Sequence, residues 1–453
     1  MKIVRFFLLS LALTASCTSG NKEYRQAVNN PEFLHRSIKA ITDRIVHDIF
    51  SPPVASRIYA YTCIAAYEAL VPFHPELISL AGQVNGLEAL PLPENGLEYS
   101  YTVASVQATL QVGRALIFSE TDLDVFYNQI MNDIRQTGIP EDVFNRSVEY
   151  GKTVASHILA WADKDNYKQS RSFSKFTVTE DPSRWRPTPP AYMEAIEPHW
   201  TTLRPFVLDS STQFIPAPPL PFSTKKDSPF YKAAYAVYET GINLTEEQRQ
   251  IASFWDCNPF VMNVHGHVMF ASKQISPGGH WINIVRVACT SKQTDIATSA
   301  EAYARVAIAL ADGFISCWDE KYRSNLVRPE TYINQFIDQN WIPLLQTPPF
   351  PEHTSGHSVI STAASVILTD FFGDNFAFTD DTEVEFGLST RTFQSFTQAS
   401  EEAAISRFFG GIHYKAAIDE GVNQGRQVGN WVIAKINTRK KEGRSERAPT
   451  GLK

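Results

Sequence analysis

The chain has 453 residues, is 43% hydrophobic and 20% charged, and carries a net charge of -7. That length supports one large or two moderate domains around a sizeable core. The acidic balance, with no basic run and no glycine-rich loop joining a strand to a helix, argues against a nucleic-acid or nucleotide-loop protein.

The first residues read as an export signal rather than as fold. Lys2 and Arg5 precede an apolar run from Phe6 to Leu13, and small residues lead to Cys17. Residues 1–17 are expected to be a signal peptide of bacterial lipoprotein type, with Cys17 lipidated and the body held at the periplasmic or outer-membrane surface. A plain cleaved signal and an uncleaved anchor are the alternatives. No later stretch approaches the length of about 18 apolar residues that a membrane span needs. Cys63, Cys257, Cys289 and Cys317 lie far apart in apolar contexts, a pattern that suits buried thiols better than disulfides or a structural metal site.

Residues 18–31 are polar and read as a tether. An N-terminal helical half is expected over 32–165. It starts with an amphipathic helix through Phe33, Ile38, Ile41, Ile45 and Ile49. A helix apolar on more than one side follows from Ala55 to Val71, opened by Pro52-Pro53. Further helices are expected at 98–118, from Thr121 to Gly138 and from Pro140 to Asp163. Residues 166–224 hold ten prolines between Pro182 and Pro221, interspersed with aromatics. So long a connection reads either as an ordered segment wrapped over the scaffold or as a linker between two halves.

The C-terminal helical half, 225–440, is expected to carry helices at 228–240, 245–256, Pro259–Ile275, 280–290, 296–318, Gly356–Phe372 and 400–436. Pro277-Gly278-Gly279 reads as a break and Gly410-Gly411 as an interruption. No strand run of any length emerges, so the expected class is all-α, a helix-bundle architecture with long proline-rich connections.

Three segments carry chemistry. The first runs from Lys321 to Arg328-Pro329, the second is His353-Thr354-Ser355-Gly356-His357, and the third runs from Ser406-Arg407 through Gly410-Gly411 to His413. Taken singly, each residue has an ordinary reading: a solvated cation, a helix cap, a packed histidine. Jointly they put three permanent cations beside a helix that starts at Ser355-Gly356. Such cations repel one another unless an oxyanion sits among them, held by charge-assisted hydrogen bonds and the helix N-terminus. Two histidines then suit bonding to the central atom and proton handling.

In order and spacing these segments resemble the three-part signature of the vanadium-dependent haloperoxidases and the phosphatidic acid phosphatase type 2 superfamily, over roughly residues 245–436. The resemblance implies two packed helix bundles. It implies that Lys321, Arg328, Arg407, Ser355 and the Gly356 N–H hold vanadate or phosphate oxygens. His357 would be the acid/base, and His413 the axial vanadate ligand or, in a phosphatase, the nucleophile. Trp318, Phe350 and the Trp255-Asp256-Cys257-Asn258 segment resemble pocket residues of the haloperoxidase branch. That branch implies vanadate as cofactor, with hydrogen peroxide and halide as substrates. An exported acid phosphatase acting on phosphoesters is the alternative.

The chain departs from the pattern in places. Thr354 replaces a proline, and Ala417 stands where an acid often follows the second histidine, with Asp419 two residues on. Asn258 stands where an upstream acid is usual, with Asp256 as a substitute. His353 reads either as a second proton group or as packing. His265-Gly266-His267 looks like a metal pair, but residues two apart on a helix face different ways.

Overall fold

The computed structural model describes residues 23–440 except 260, 266, 267 and 272, and only the backbone of the remaining residues from 262 to 271. The export signal and Cys17 lie outside the described residues, as do the side chains of His265 and His267. Helices dominate. In the N-terminal half they are α1 (Glu32–His47), α2 (Pro52–Glu68), α3 (Tyr101–Leu116), α4 (Glu120–Arg135) and α5 (Glu141–Ala162). Then come α6 (Pro229–Ile242), α7 (Glu246–Phe254), strands β1 (Met262–His265) and β2 (Val268–Ala271), α8 (Pro277–Lys292), α9 (Ile296–Ser324) and α10 (Pro329–Phe336). The chain finishes with α11 (Gly356–Phe372), β3 (Phe378–Asp380), β4 (Arg391–Phe393), α12 (Phe396–Phe409) and α13 (Lys415–Lys435).

Every residue of α2 is buried, which accounts for its lack of a polar stripe. It packs between α3 and α9, and α9 in turn packs on α11. One continuous apolar core therefore runs from Tyr24, ahead of α1, to Ile436 beyond α13. The buried bond between His35 Nδ1 and the Tyr303 hydroxyl, 2.8 Å, ties α1 to α9.

Residues 166–224 lie along this core on specific anchors. Asp312, in the middle of α9, accepts the backbone N–H groups of Phe206, Val207 and Leu208 at 2.6–3.0 Å. Burial still outweighs those three donors and pushes its carboxyl up to about 6. The Ile196 carbonyl accepts from Trp318 Nε1 at 3.2 Å and from the Tyr322 hydroxyl at 2.5 Å.

Several sequence expectations need correction. Residues 23–28, read as tether, are helical, and Tyr24 and Val28 are buried. Pro259–Ile275 is not a helix: 262–265 and 268–271 pair as an antiparallel hairpin. A second hairpin pairs β3 with β4. Pro277-Gly278-Gly279 opens α8 instead of breaking a helix, because the Ser276 hydroxyl caps the Gly279 N–H at 3.1 Å and proline suits the first turn. The short helix α10 was not foreseen.

α11 and α13 meet backbone to backbone along Gly421, Gly425 and Gly429, spaced four apart on one face of α13. A Cβ on Gly425 would fall 2.1 Å from the Val359 carbonyl oxygen, and one on Gly421 2.9 Å from the Ser355 carbonyl oxygen. The second contact is with the N-cap residue of α11. Gly425→Ala is expected to cost at least the ~1–3 kcal/mol of ordinary core overpacking. Urea unfolding measures it, and an unchanged midpoint would mean that the helices are not in backbone contact.

Candidate active site

The first residues of three helices, Pro52 of α2, Pro277 of α8 and Gly356 of α11, line one cavity. Their N-terminal partial positive charges favour an anion there. Cys257, Asn258, Phe314, Trp318, Phe350, His357, Arg407, Ile412 and His413 complete most of the wall. The three sequence segments therefore do converge. Lys321, Arg328 and Ser355 sit against lining residues rather than on the wall itself.

α11 starts where it does because Ser355, in extended conformation, caps the Ser358 N–H through its hydroxyl at 3.3 Å. The Lys321 ammonium holds the approach to this cap. It donates to the carbonyls of Pro351 at 3.1 Å, Glu352 at 3.1 Å and Thr354 at 2.5 Å. All three of its protons are engaged there, so Lys321 clamps the loop before Ser355. Burial pushes its pKa down to about 8.

Arg328 donates through Nε to the Phe350 carbonyl at 2.9 Å, and through Nη1 to the Ile412 carbonyl at 2.9 Å and His413 Nε2 at 3.0 Å. A guanidinium only donates, so His413 Nε2 presents its lone pair and Nδ1 carries the proton. That proton goes to Glu352 Oε1 at 2.9 Å, which also accepts the Tyr414 N–H at 2.9 Å. Glu352 is thus the carboxylate that orients His413, and the sequence reading missed it. Asp419 does not do this work; it pairs with Lys415 on the exposed face of α13. The signal that could have found Glu352 was its adjacency to the Ser-Gly-His segment. Burial lifts Glu352 to about 7 and, together with the charge of Arg328, holds His413 neutral, well below the usual histidine range.

Arg407 donates through Nη1 to the Trp255 carbonyl at 2.8 Å, and its Nη2 lies 3.7 Å from Asp256 Oδ1. Asp256, pushed up to about 7 by burial, thus stands beside the site cation. Burial and the charge of Arg407 hold His357 neutral, while its bond to the Trp255 carbonyl opposes them. Trp255 contributes its carbonyl; its ring stacks on His280 instead of lining the cavity. Phe350 lies beneath two cations, with Lys321 Nζ and Arg328 Cζ each 5.1 Å from its ring centre. His353 is no second proton group of this cavity. It is buried, bonded through Nε2 to the Ala217 carbonyl at 3.0 Å and pushed down to about 4.

With this geometry described, the comparisons with known proteins are specific. A family model for the second helical-bundle domain of the VCPO type matches residues 334–441. No curated protein matches the chain. A crystal structure described as that of the first bacterial vanadium-dependent iodoperoxidase is 51% identical, covering 92% of this chain and 99% of its own, with a TM-score of 0.87. Holo- and apo-type structures of a bacterial vanadium-dependent chloroperoxidase share the fold at 15% and 17% identity. They cover 86% and 85% of this chain and 93% and 94% of their own, with TM-scores of 0.64 and 0.63. The chain belongs to the vanadium-dependent haloperoxidases. It is an enzyme of that type, and vanadate is its expected cofactor.

The donor set fits that group. Arg328 Nη2, Arg407 Nε and His357 Nε2 are buried without a hydrogen-bond partner among the described residues. The two arginine N–H groups are stranded buried donors, costly unless an acceptor joins them, and His357 Nε2 is the lone-pair nitrogen of a neutral ring. Two outcomes are expected. Glu352→Ala, which frees the His413 ring, should weaken vanadate binding about 10–100-fold by equilibrium dialysis, with Glu352→Gln less affected because it keeps an acceptor oxygen. Vanadate affinity should also fall as pH rises through about 8, where Lys321 loses its proton and the site one positive charge. Lys321→Met should lack that step; a wild-type profile in this variant would assign the titration elsewhere.

Proposed function

We propose that this enzyme oxidises iodide with hydrogen peroxide, H2O2 + I⁻ + H⁺ giving HOI + H2O, at vanadate held by His413. The observation that carries the reading is the joint one. His413 Nε2 is fixed as a lone-pair nitrogen beside stranded arginine donors, in a chain 51% identical to an iodoperoxidase. His413 would hold vanadate through Nε2. Arg328, Arg407 and the Gly356 N–H would neutralise its oxygens, and Lys321 would fix the loop that presents Gly356. Bound vanadate supplies Lewis-acid activation of the peroxide. His357, neutral and with Nε2 unpartnered in the cavity, is placed to take and return the proton at that atom.

The character of the wall supports a preference for iodide. Phe314, Trp318, Pro348, Phe350 and Ile412 make much of it apolar. Moving an anion into such surroundings costs less the larger and more weakly hydrated the anion is. Iodide therefore pays the smallest desolvation cost of the halides and is also the easiest of the three heavier halides to oxidise.

The experiment compares protein with and without orthovanadate, under peroxide, on iodide, bromide and chloride, with phosphomonoester hydrolysis assayed alongside. Iodide oxidation should require vanadate and exceed bromide oxidation. His413→Ala should abolish it, and His357→Ala should lower kcat by about 10²–10⁴-fold. Phosphoester hydrolysis that vanadate inhibits, without halide oxidation, would assign the site to phosphoryl transfer.

A further inference from the structure

Behind Cys257 in the cavity wall lies a second buried cluster that halide oxidation does not use. Cys257 Sγ is 3.3 Å from His280 Nδ1 and 3.6 Å from Glu383 Oε1, and that oxygen is 3.1 Å from His280 Nδ1. The three side chains are buried, His280 completely. They come from three separate places: the loop after α7, the first turn of α8 and the connection between β3 and β4.

The triangle has the size of a face of a tetrahedral metal site. Zinc–sulfur bonds of about 2.3 Å and zinc–nitrogen or zinc–oxygen bonds of about 2.0–2.1 Å give ligand-to-ligand edges of about 3.3–3.6 Å. The sulfur–oxygen edge of 3.6 Å matches the longer, sulfur-containing value, while the sulfur–nitrogen edge of 3.3 Å and the nitrogen–oxygen edge of 3.1 Å are each shorter than a bound ion would set, by about 0.2–0.3 Å. Support behind the histidine is present as well. His280 Nε2 bonds Asp380 Oδ2 at 2.7 Å, and Asp380 Oδ1 accepts from the Thr382 backbone N–H at 3.0 Å and hydroxyl at 2.6 Å. A carboxylate fixing the far nitrogen of a metal-binding histidine is the usual outer arrangement of such sites. Charge points the same way. Two buried carboxylates face one imidazole, and among the described residues no lysine or arginine bonds to either of them.

We propose that Cys257, His280 and Glu383 bind one divalent cation of the zinc class, through thiolate, Nδ1 and carboxylate, with water in the fourth position. Binding releases the thiol proton, and any proton on Nδ1, to solvent. The thiolate selects zinc over calcium or magnesium, which prefer oxygen ligands. The ion would staple the 255–258 segment, whose Trp255 carbonyl holds Arg407 and whose Asn258 lines the cavity, to α8 and the β3–β4 connection. This does not rest on the vanadate reading, because metal content is read without turnover.

The test uses the full chain produced in zinc-supplemented medium, with metal counted by mass spectrometry as isolated and after exchange for Co²⁺. About one equivalent per chain is expected, with a near-ultraviolet thiolate-to-cobalt band and a rise in Tm on zinc loading. Cys257→Ser and His280→Ala should each lose the band and most of the metal. Glu383→Gln, nearly isosteric, should bind at least tenfold more weakly, and it keeps the test open if the other two fail to fold. Wild-type protein with no retained metal, or a Glu383→Gln variant with wild-type stoichiometry and affinity, overturns the proposal and leaves a hydrogen-bonded cluster only.

Discussion

Three cations buried around one point are the constraint to which the rest of this structure answers. Lys321, Arg328 and Arg407 are all removed from water, and burial lowers the pKa of each. Such groups stay charged only where acceptors surround them. Backbone carbonyls of Phe350, Pro351, Glu352, Thr354, Ile412 and Trp255 supply that ring. Those carbonyls are free because their segments are irregular. The proline-rich run before Ser355 and the Gly410-Gly411 turn are thus tied to the charge arrangement: a helix there would have spent the same oxygens on itself.

The acids follow from the same constraint. Glu352 and Asp256 are each placed beside a cation and a site element, and each is pushed up to about 7 by burial. Removing vanadate from such a pocket leaves both signs of charge poorly solvated at once.

Much of this was legible in the sequence. The segments around Lys321, Ser355 and Arg407 are local in sequence and dense in chemistry, so their convergence could be anticipated. So could α11, whose start is set by the Ser355 cap. What was not legible depended on tertiary partners. Glu352 was not singled out in the sequence, where it lies between a proline and a histidine; only the fold carries His413 to it. The hairpin over 262–271 was hidden because a short apolar run suits strand or helix equally. Pro277-Gly278-Gly279 misled because proline both ends and begins helices, and the Ser276 cap decided which. Residues 23–28 looked like a tether because only two of them, Tyr24 and Val28, reach the core.

The complete burial of α2 has a consequence for how this enzyme can be divided. A helix with no outer face has no surface along which a chain could be cut and remain soluble, and its first residue, Pro52, is part of the cavity wall. The segment matched by the family model, 334–441, holds Phe350, His357, Arg407 and His413 of that wall but leaves out Pro52, Pro277, Phe314 and Trp318, and all of α9. Sequence comparison can recognise the second bundle by itself, but the cavity is complete only with residues from both halves of the chain.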